Sequence, residues 1–214
     1  MNFWHFMVTN RQQVLDLTIE HITLVGISIL FAVLLGIPLG IMITRKPQLS
    51  KLVLGSANVL QTIPALALFG FLLPMPWIGA RGGRMAVLAL TLYALLPLIR
   101  NTYAGIRNVD PAVVEAGRAM GLTDQQLLWQ VELPLASGVI VAGIRIATVV
   151  SIGLATIAAA IGAGGLGEFI FRGLSMVHYQ VILAGAVPAA VLALAADVGL
   201  GALERKLGML YARA

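Results

Sequence analysis

Apolar positions in this chain come in long unbroken blocks rather than as the one-sided stripe of a soluble amphipathic helix. Five blocks reach or approach the roughly 20 residues that carry a helix across the hydrocarbon core. They cover residues 21–44, 52–73, 85–99, 137–161 and 181–203, and the third is short unless it runs past Arg100 to Ile106. Ahead of the first block, residues 10–20 mix Arg11, Asp16 and Glu20 with apolar positions, the pattern of a short interfacial helix. Pro38, Pro64, Pro97 and Pro188 fall within or at the edge of the blocks. Kinks are tolerated there because neighbouring helices can satisfy the carbonyl that proline frees. The pattern predicts an all-α membrane protein of five transmembrane helices. An outer segment over 1–20 precedes a membrane domain over 21–204 and a cytoplasmic tail over 205–214.

One polar stretch stands between the third and fourth blocks. Residues 110–134 read DPAVVEAGRAMGLTDQQLLWQVELP. Asp110 is a good N-cap and Pro111 suits the first helical position. Val113, Val114 and Met120 supply apolar contact, and Gly121 can end the helix through a positive φ. Thr123 starts a second helix in which Leu127, Leu128 and Val131 recur at helical spacing, and Pro134 is expected to stop it. The spacing thus predicts two short helices joined by a rigid turn.

Charge fixes the side on which that segment lies. Arg45, Lys46, Lys51, Arg100, Arg107, Arg118, Arg205, Lys206 and Arg213 gather on one side of the spans; Arg11, Arg81, Arg84 and Arg172 gather on the other. The positive-inside rule then puts the N-terminus outside, the C-terminus inside and residues 110–134 in the cytoplasm. Only 11% of residues are charged and 59% are hydrophobic, whereas a soluble domain carries about 25% charged residues. The net charge of +5 comes from basic residues scattered at the ends of apolar runs, not from a stripe that could track nucleic-acid phosphates. Absence of cysteine excludes disulfides, thiolate metal sites and cysteine nucleophiles. The opening MNFWHFMVTNRQQ lacks the basic and apolar regions of a cleaved signal peptide.

Glu115-Ala116-Gly117, then Gly121, then Val131-Glu132-Leu133-Pro134 follow the pattern E-A-A, three residues, Gly, nine residues, I-x-L-P. In this the chain resembles the membrane subunits of binding-protein-dependent ABC importers, with Gly117 replacing the second Ala and Val131 replacing Ile. The runs NVLQTIPALAL from Asn58, LYALLPLIRNTY from Leu92 and IGAGGLGEFIFRG from Ile161 look like those of the osmoprotectant permeases, which import glycine betaine, carnitine and choline. The resemblance implies a type I importer permease fold. It also implies a dimer of cytoplasmic ATPases, a second permease subunit (identical or paralogous) and an extracytoplasmic substrate-binding protein, expected to be separate because the chain ends at Ala214. By the same resemblance, ATPase coupling falls to residues 110–134: Glu115, Ala116, Gly117, Arg118, Met120, Gly121, Leu122, Leu127, Leu128, Leu133 and Pro134. Met120, Leu122, Leu127 and Leu128 would form the apolar contact, with Glu115 and Arg118 as its polar rim.

Other residues carry weaker expectations. The Gly-rich run 161–167 has no Gly-Lys-Ser/Thr and follows a membrane helix, so it reads as an outer turn before a short helix over 168–174, not as a nucleotide loop. With no P-loop in the chain, ATP hydrolysis belongs to a partner; no cofactor, metal site or catalytic residue is expected. Arg145 and Asp197 lie deep in spans four and five, where an unpaired charge is expensive, and are expected to pair. Asn58, Gln61 and Thr62 on span two, with Thr148 and Ser151 on span four, are candidates to line a translocation path. Fourteen dispersed aromatics form no cage for a quaternary ammonium group, so tight recognition is expected in the binding protein. His5, His21 and His178 are too isolated for a metal site. Methionine, a sulfonate or another small zwitterion remains open as cargo, and an ATP-independent channel or carrier is the alternative from another class. An intramembrane enzyme is disfavoured because no catalytic constellation appears.

Overall fold

The computed structural model describes residues 3–75 and 82–211, and these residues form helices and turns with no strand among them. Arg81 and Arg213, both used in the charge count, lie outside the described residues. Helix α1 spans Phe3–Thr9 and α2 spans Arg11–Arg45. At 1.5 Å per residue, α2 is roughly 50 Å long and overreaches a hydrocarbon core of about 30 Å. Residues 11–20 are the first turns of this one helix, not the separate interfacial helix expected. Neither Gly nor Pro separates them from the span, so nothing interrupts the hydrogen-bond ladder. The short α1 instead folds back, its Phe6 ring edge-on to Phe169 at 6.0 Å.

The second apolar block is not one straight helix. It divides into α3, Pro47–Thr62, and α4, Ala65–Leu72, which meet at 98°. Pro64 makes the break: it has no N–H, and it holds Ile63 extended at φ −71° and ψ 125°. The carbonyl of Ile63 accepts from the Tyr93 hydroxyl on α5, Gly82–Arg107. Helix α5 runs through Arg100, so the third span is longer than residues 85–99.

After α5, Pro111–Ala119 forms α6 and Asp124–Leu127 forms α7. Pro134 does not end the second of these. A π-turn over Leu128–Glu132 leads directly into α8, Leu133–Ala158, with the Leu133 N–H donating to the Leu128 carbonyl. Pro134 then occupies the first turn of α8, where a widened helix accommodates its missing donor. Residues Asp124–Ile161 thereby form one helical run of 38 residues. Helix α9 spans Gly167–Ser175 and α10 spans Tyr179–Tyr211. Because α10 continues past residue 204, the expected tail is helical through Tyr211.

Four of these runs are long and apolar enough to cross a membrane, and the bent α3–α4 pair makes up to five. The bundle is ordered α2, α5, α8, α10, with α3 laid on α5 and α9 on α10. Small residues let the backbones approach. A Cβ on Gly40 would lie 2.6 Å from Thr102 Cβ, and one on Gly143 would lie 2.7 Å from Asn101 Cβ. Leu30, Leu34 and Leu35 on α2 stay exposed, an apolar outer surface suited to lipid.

Candidate translocation face and capped helix pair

The α6–α7 pair is capped at both starts. The Asp110 carboxylate accepts from the Ala112 N–H at 2.9 Å. Thr123 and Gln126 form a reciprocal capping box, with the Thr123 N–H donating to Gln126 Oε1 at 2.9 Å. Gly121 takes φ +85° in the turn between them. Leu127 is fully buried beneath Gly117, whose added Cβ would sit 2.8 Å from Leu127 Cδ1 and 3.3 Å from Leu122 Cδ1. Leu127 therefore holds the two helices together instead of facing outward, and Leu122 and Leu128 are half-buried. Glu115, Ala116 and Arg118 are exposed, and Arg118 lies 3.9 Å from Asp124. The apolar surface left open is made by Met120, with Val113 and Trp129. Trp129 was not singled out from the sequence because its neighbours Leu127 and Leu128 carry the helical spacing.

Leu133 and Pro134 lie half-buried at the junction with α8, next to a second feature that spacing could not show. Glu132 is the only buried carboxylate among the described residues, and both its oxygens accept from the guanidinium of Arg45 at the end of α2. An acid one residue before Leu-Pro was the available signal, but its partner is 87 positions away.

At membrane depth, polar groups collect on one side of the bundle. A cleft of about 440 Å³ is lined by Gln61, Tyr93, Pro97, Arg100 and Asn101, with Ile146 and Val150 at its edge. Gln61 Nε2 donates to the Tyr93 carbonyl at 2.9 Å, and Arg100 Nη2 donates to Asn58 Oδ1 at 3.3 Å. The same Ile146 and Val150 border a second cleft, about 390 Å³, that contains Arg145, Asp197 and Glu204. The two clefts therefore flank the same wall on α8. Arg145 Nε lies 2.6 Å from Asp197 Oδ1, Nη2 lies 3.1 Å from Asp197 Oδ2, and Nη1 lies 3.1 Å from Glu204 Oε2. Glu204 was missed because it sits just past the C-terminal end of its block and reads as an ordinary flanking acid. Gly201 leaves room for this arrangement: a Cβ there would come within 3.2 Å of Arg145 Nη1.

The five polar residues proposed from sequence do not share this face. Asn58 and Gln61 reach it. Thr62 is exposed and bonds its own helix at Val59. Thr148 lines a different, apolar cleft with His21 and Leu192, and Ser151 is buried with its hydroxyl unpartnered. A wider cleft, about 950 Å³, lies between α2 and the N-terminal half of α5, with mainly apolar walls such as Leu24, Ile27, Phe31 and Val87. Near it, Glu20 receives the Gly165 N–H at 2.9 Å, which ties the N-terminal part of α2 to the Gly-rich loop. Gly164 and Gly165 both have positive φ, and a Cβ on Gly164 would collide with the Glu20 carboxylate.

Residues 36–209 match the family described as the binding-protein-dependent transport system inner membrane component. The chain belongs to that family. This permease is 47% identical over 200 residues to the carnitine transport permease protein OpuCD of Listeria monocytogenes, covering 93% of this chain and 88% of that one. It is 47% identical over 199 residues to the glycine betaine/carnitine/choline permease OpuCD of Bacillus subtilis, covering 92% and 86%. The choline permease OpuBB of Bacillus subtilis is 43% identical over 202 residues, covering 94% and 92%. Among solved structures, the inward-facing MetNI methionine ABC transporter has a chain that aligns with TM-score 0.81 at 23% identity, covering 92% of the permease and 97% of that chain. A chain of an amino acid ABC transporter aligns with TM-score 0.80 at 22% identity, covering 96% and 99%. At these identities the structural likeness establishes the fold alone, the architecture of ABC importer permeases; the family match makes the permease a multi-pass inner-membrane protein.

Proposed function

We propose that this permease is the membrane subunit of an ATP-driven importer of osmoprotectants, with glycine betaine, choline and carnitine as the cargo class. The observation that carries the ATP-driven part is the capped α6–α7 pair, which presents exposed Met120 and Trp129 and continues without a break into span α8. A helix rigidly joined to a span transmits a push that a flexible loop would absorb. The cargo class rests on the relatives, named for carnitine, choline and glycine betaine transport at 43–47% identity.

In this reading the N-terminus lies outside and α6–α7 meets a groove on one subunit of a separate ATPase dimer, the other groove taking the matching pair of the second permease subunit. Glu115, Ala116, Arg118 and Met120 face the partner, while Gly117, Gly121, Leu122, Leu127 and Leu128 keep the pair rigid. Leu133 and Pro134 join the pair to α8. Cargo moves along the face bearing Asn58, Gln61, Arg100 and Asn101, closed by the same face of a second permease subunit. Partly exposed charges such as Arg145, Asp197 and Glu204 at span depth fit a watered or protein-covered face and not hydrocarbon. A separate binding protein delivers the cargo.

The test is uptake of labelled glycine betaine, choline and carnitine by the complete importer in proteoliposomes. Gly121→Val, which forces a β-branched residue to φ +85°, is expected to reduce uptake by roughly 5- to 150-fold, the range of a coupling free energy of 1–3 kcal/mol. Uptake that persists without the ATPase refutes the importer reading.

A further inference from the structure

Force entering at α7 has a covalent route into α8, because Asp124–Ile161 is one helical run. The chain offers no comparable route into α2, whose nearest end, Arg45, lies 79 positions before Asp124. The contact between Arg45, the last residue of α2, and Glu132, the last residue of the π-turn, supplies one. We propose that this pair is a clamp that makes span α2 move together with the cytoplasmic helices, so that Arg45 and Glu132 are positioning residues for transport.

Three features support a mechanical role. The pair is a two-pronged fork, with Arg45 Nη1 on Glu132 Oε1 at 3.1 Å and Nη2 on Oε2, which fixes orientation as well as distance. The Glu132 side chain is only 6% exposed, so water cannot readily substitute for the guanidinium. Finally, the carboxylate leaves the helix within the π-turn, an irregular turn forced next to Pro134 and placed between the cytoplasmic helix and the span. Glu115, Arg107 and Arg118 line the same small cytoplasmic cleft, but none of them bonds Glu132. The clamp is specific to one cation and one anion.

This inference rests on the importer reading, and its test separates the two. The chain has no cysteine, so spin labels can be placed uniquely at Thr23→Cys on the outer part of α2 and Gln130→Cys in the π-turn. Both positions are exposed, and α2 separates them by roughly 30 Å along its axis. Distances are measured in the assembled importer, nucleotide-free and with ATP trapped by vanadate. An otherwise unaltered chain is expected to hold the same distance in both states. In Glu132→Gln and Arg45→Gln the distance is expected to shift on ATP trapping, and uptake per ATP hydrolysed to fall by about fivefold or more. Arg45→Glu combined with Glu132→Arg is expected to restore both, and Arg45→Lys, with one prong, to lie between. A distance that stays fixed in Glu132→Gln overturns the clamp, whatever the cargo. So does a proportional loss of hydrolysis and uptake with their ratio unchanged, which marks a purely structural pair. Wild-type uptake that needs no ATPase overturns the importer reading, and the clamp with it.

Discussion

At the scale of single residues, the places where a side chain is absent are as informative as those where one is present. Gly117 is a departure from the family pattern of the cytoplasmic segment, and alone it lowers helix propensity by about 1 kcal/mol relative to Ala. The structure supplies its reason in Leu127, which fills the space a Cβ would occupy. Gly117→Ala is therefore expected to destabilise the α6–α7 pair by a net of up to ~2 kcal/mol, since overpacking costs about 1–3 kcal/mol against a helix gain of about 1 kcal/mol. Limited proteolysis of the detergent-solubilised protein near residue 121 reads this directly. Pairing Gly117→Ala with Leu127→Val should recover most of the resistance. A single Gly117→Ala protein as resistant as wild type would show that Leu127 moves aside freely. Arg145 offers the complementary case: among the described residues it alone holds Asp197 and Glu204. Arg145→Lys keeps the charge but loses the three-way geometry. It is expected to lower the yield of assembled complex, with Arg145→Ala lower still; equal yields from all three proteins would remove the structural role.

At the scale of elements, the Gly-rich loop after α8 and the broken second span show how local chemistry redirects helices. The loop after α8 turns through Gly162, Gly164 and Gly165 at positive φ and is anchored by Glu20 from α2. Gly165→Ala must place a side chain at φ +78° and 3.0 Å from His21 Nδ1. It should cost about 1–2 kcal/mol from backbone strain before any clash is counted. Gly26→Ala is the control: nothing lies within 4 Å of its Cβ, it is helical, and it should gain up to about 1 kcal/mol. Thermal unfolding in detergent should separate the two variants in opposite directions, and a Gly165→Ala protein as stable as Gly26→Ala would remove the claim of strain. The break at Pro64 follows the same reasoning: a missing N–H and an extended Ile63 turn the chain by 98°, and Tyr93 satisfies the carbonyl left open.

At the scale of the whole molecule, orientation decides whether the α6–α7 pair can meet an ATPase at all. A single Thr9→Cys should react with an impermeant maleimide in intact cells, and Gln126→Cys only after permeabilisation. The reverse pattern would falsify the orientation and, with it, the coupling role. Hydrophobic block length by itself determined that the chain spans a membrane several times. Capping residues determined the two short helices and their turn, because these signals act within a few positions: Asp110 on Ala112, and Thr123 on Gln126. Where an outcome depended on distant partners, only the tertiary structure decided it. Pro134 reads locally as a stop, yet the π-turn ahead of it lets the helix continue into span four. Leu127 reads as an outward contact, yet Gly117 buries it. Thr148 and Gln61 look alike as polar residues in spans, yet packing turns them to different clefts. The pairing of Glu132 with Arg45 and the addition of Glu204 to Arg145 and Asp197 join residues 52 to 87 positions apart. The physical reason is range. Solvent preference and helix capping act over one to four residues, whereas ion pairs and close helix contacts exist only after the bundle has brought separate spans together.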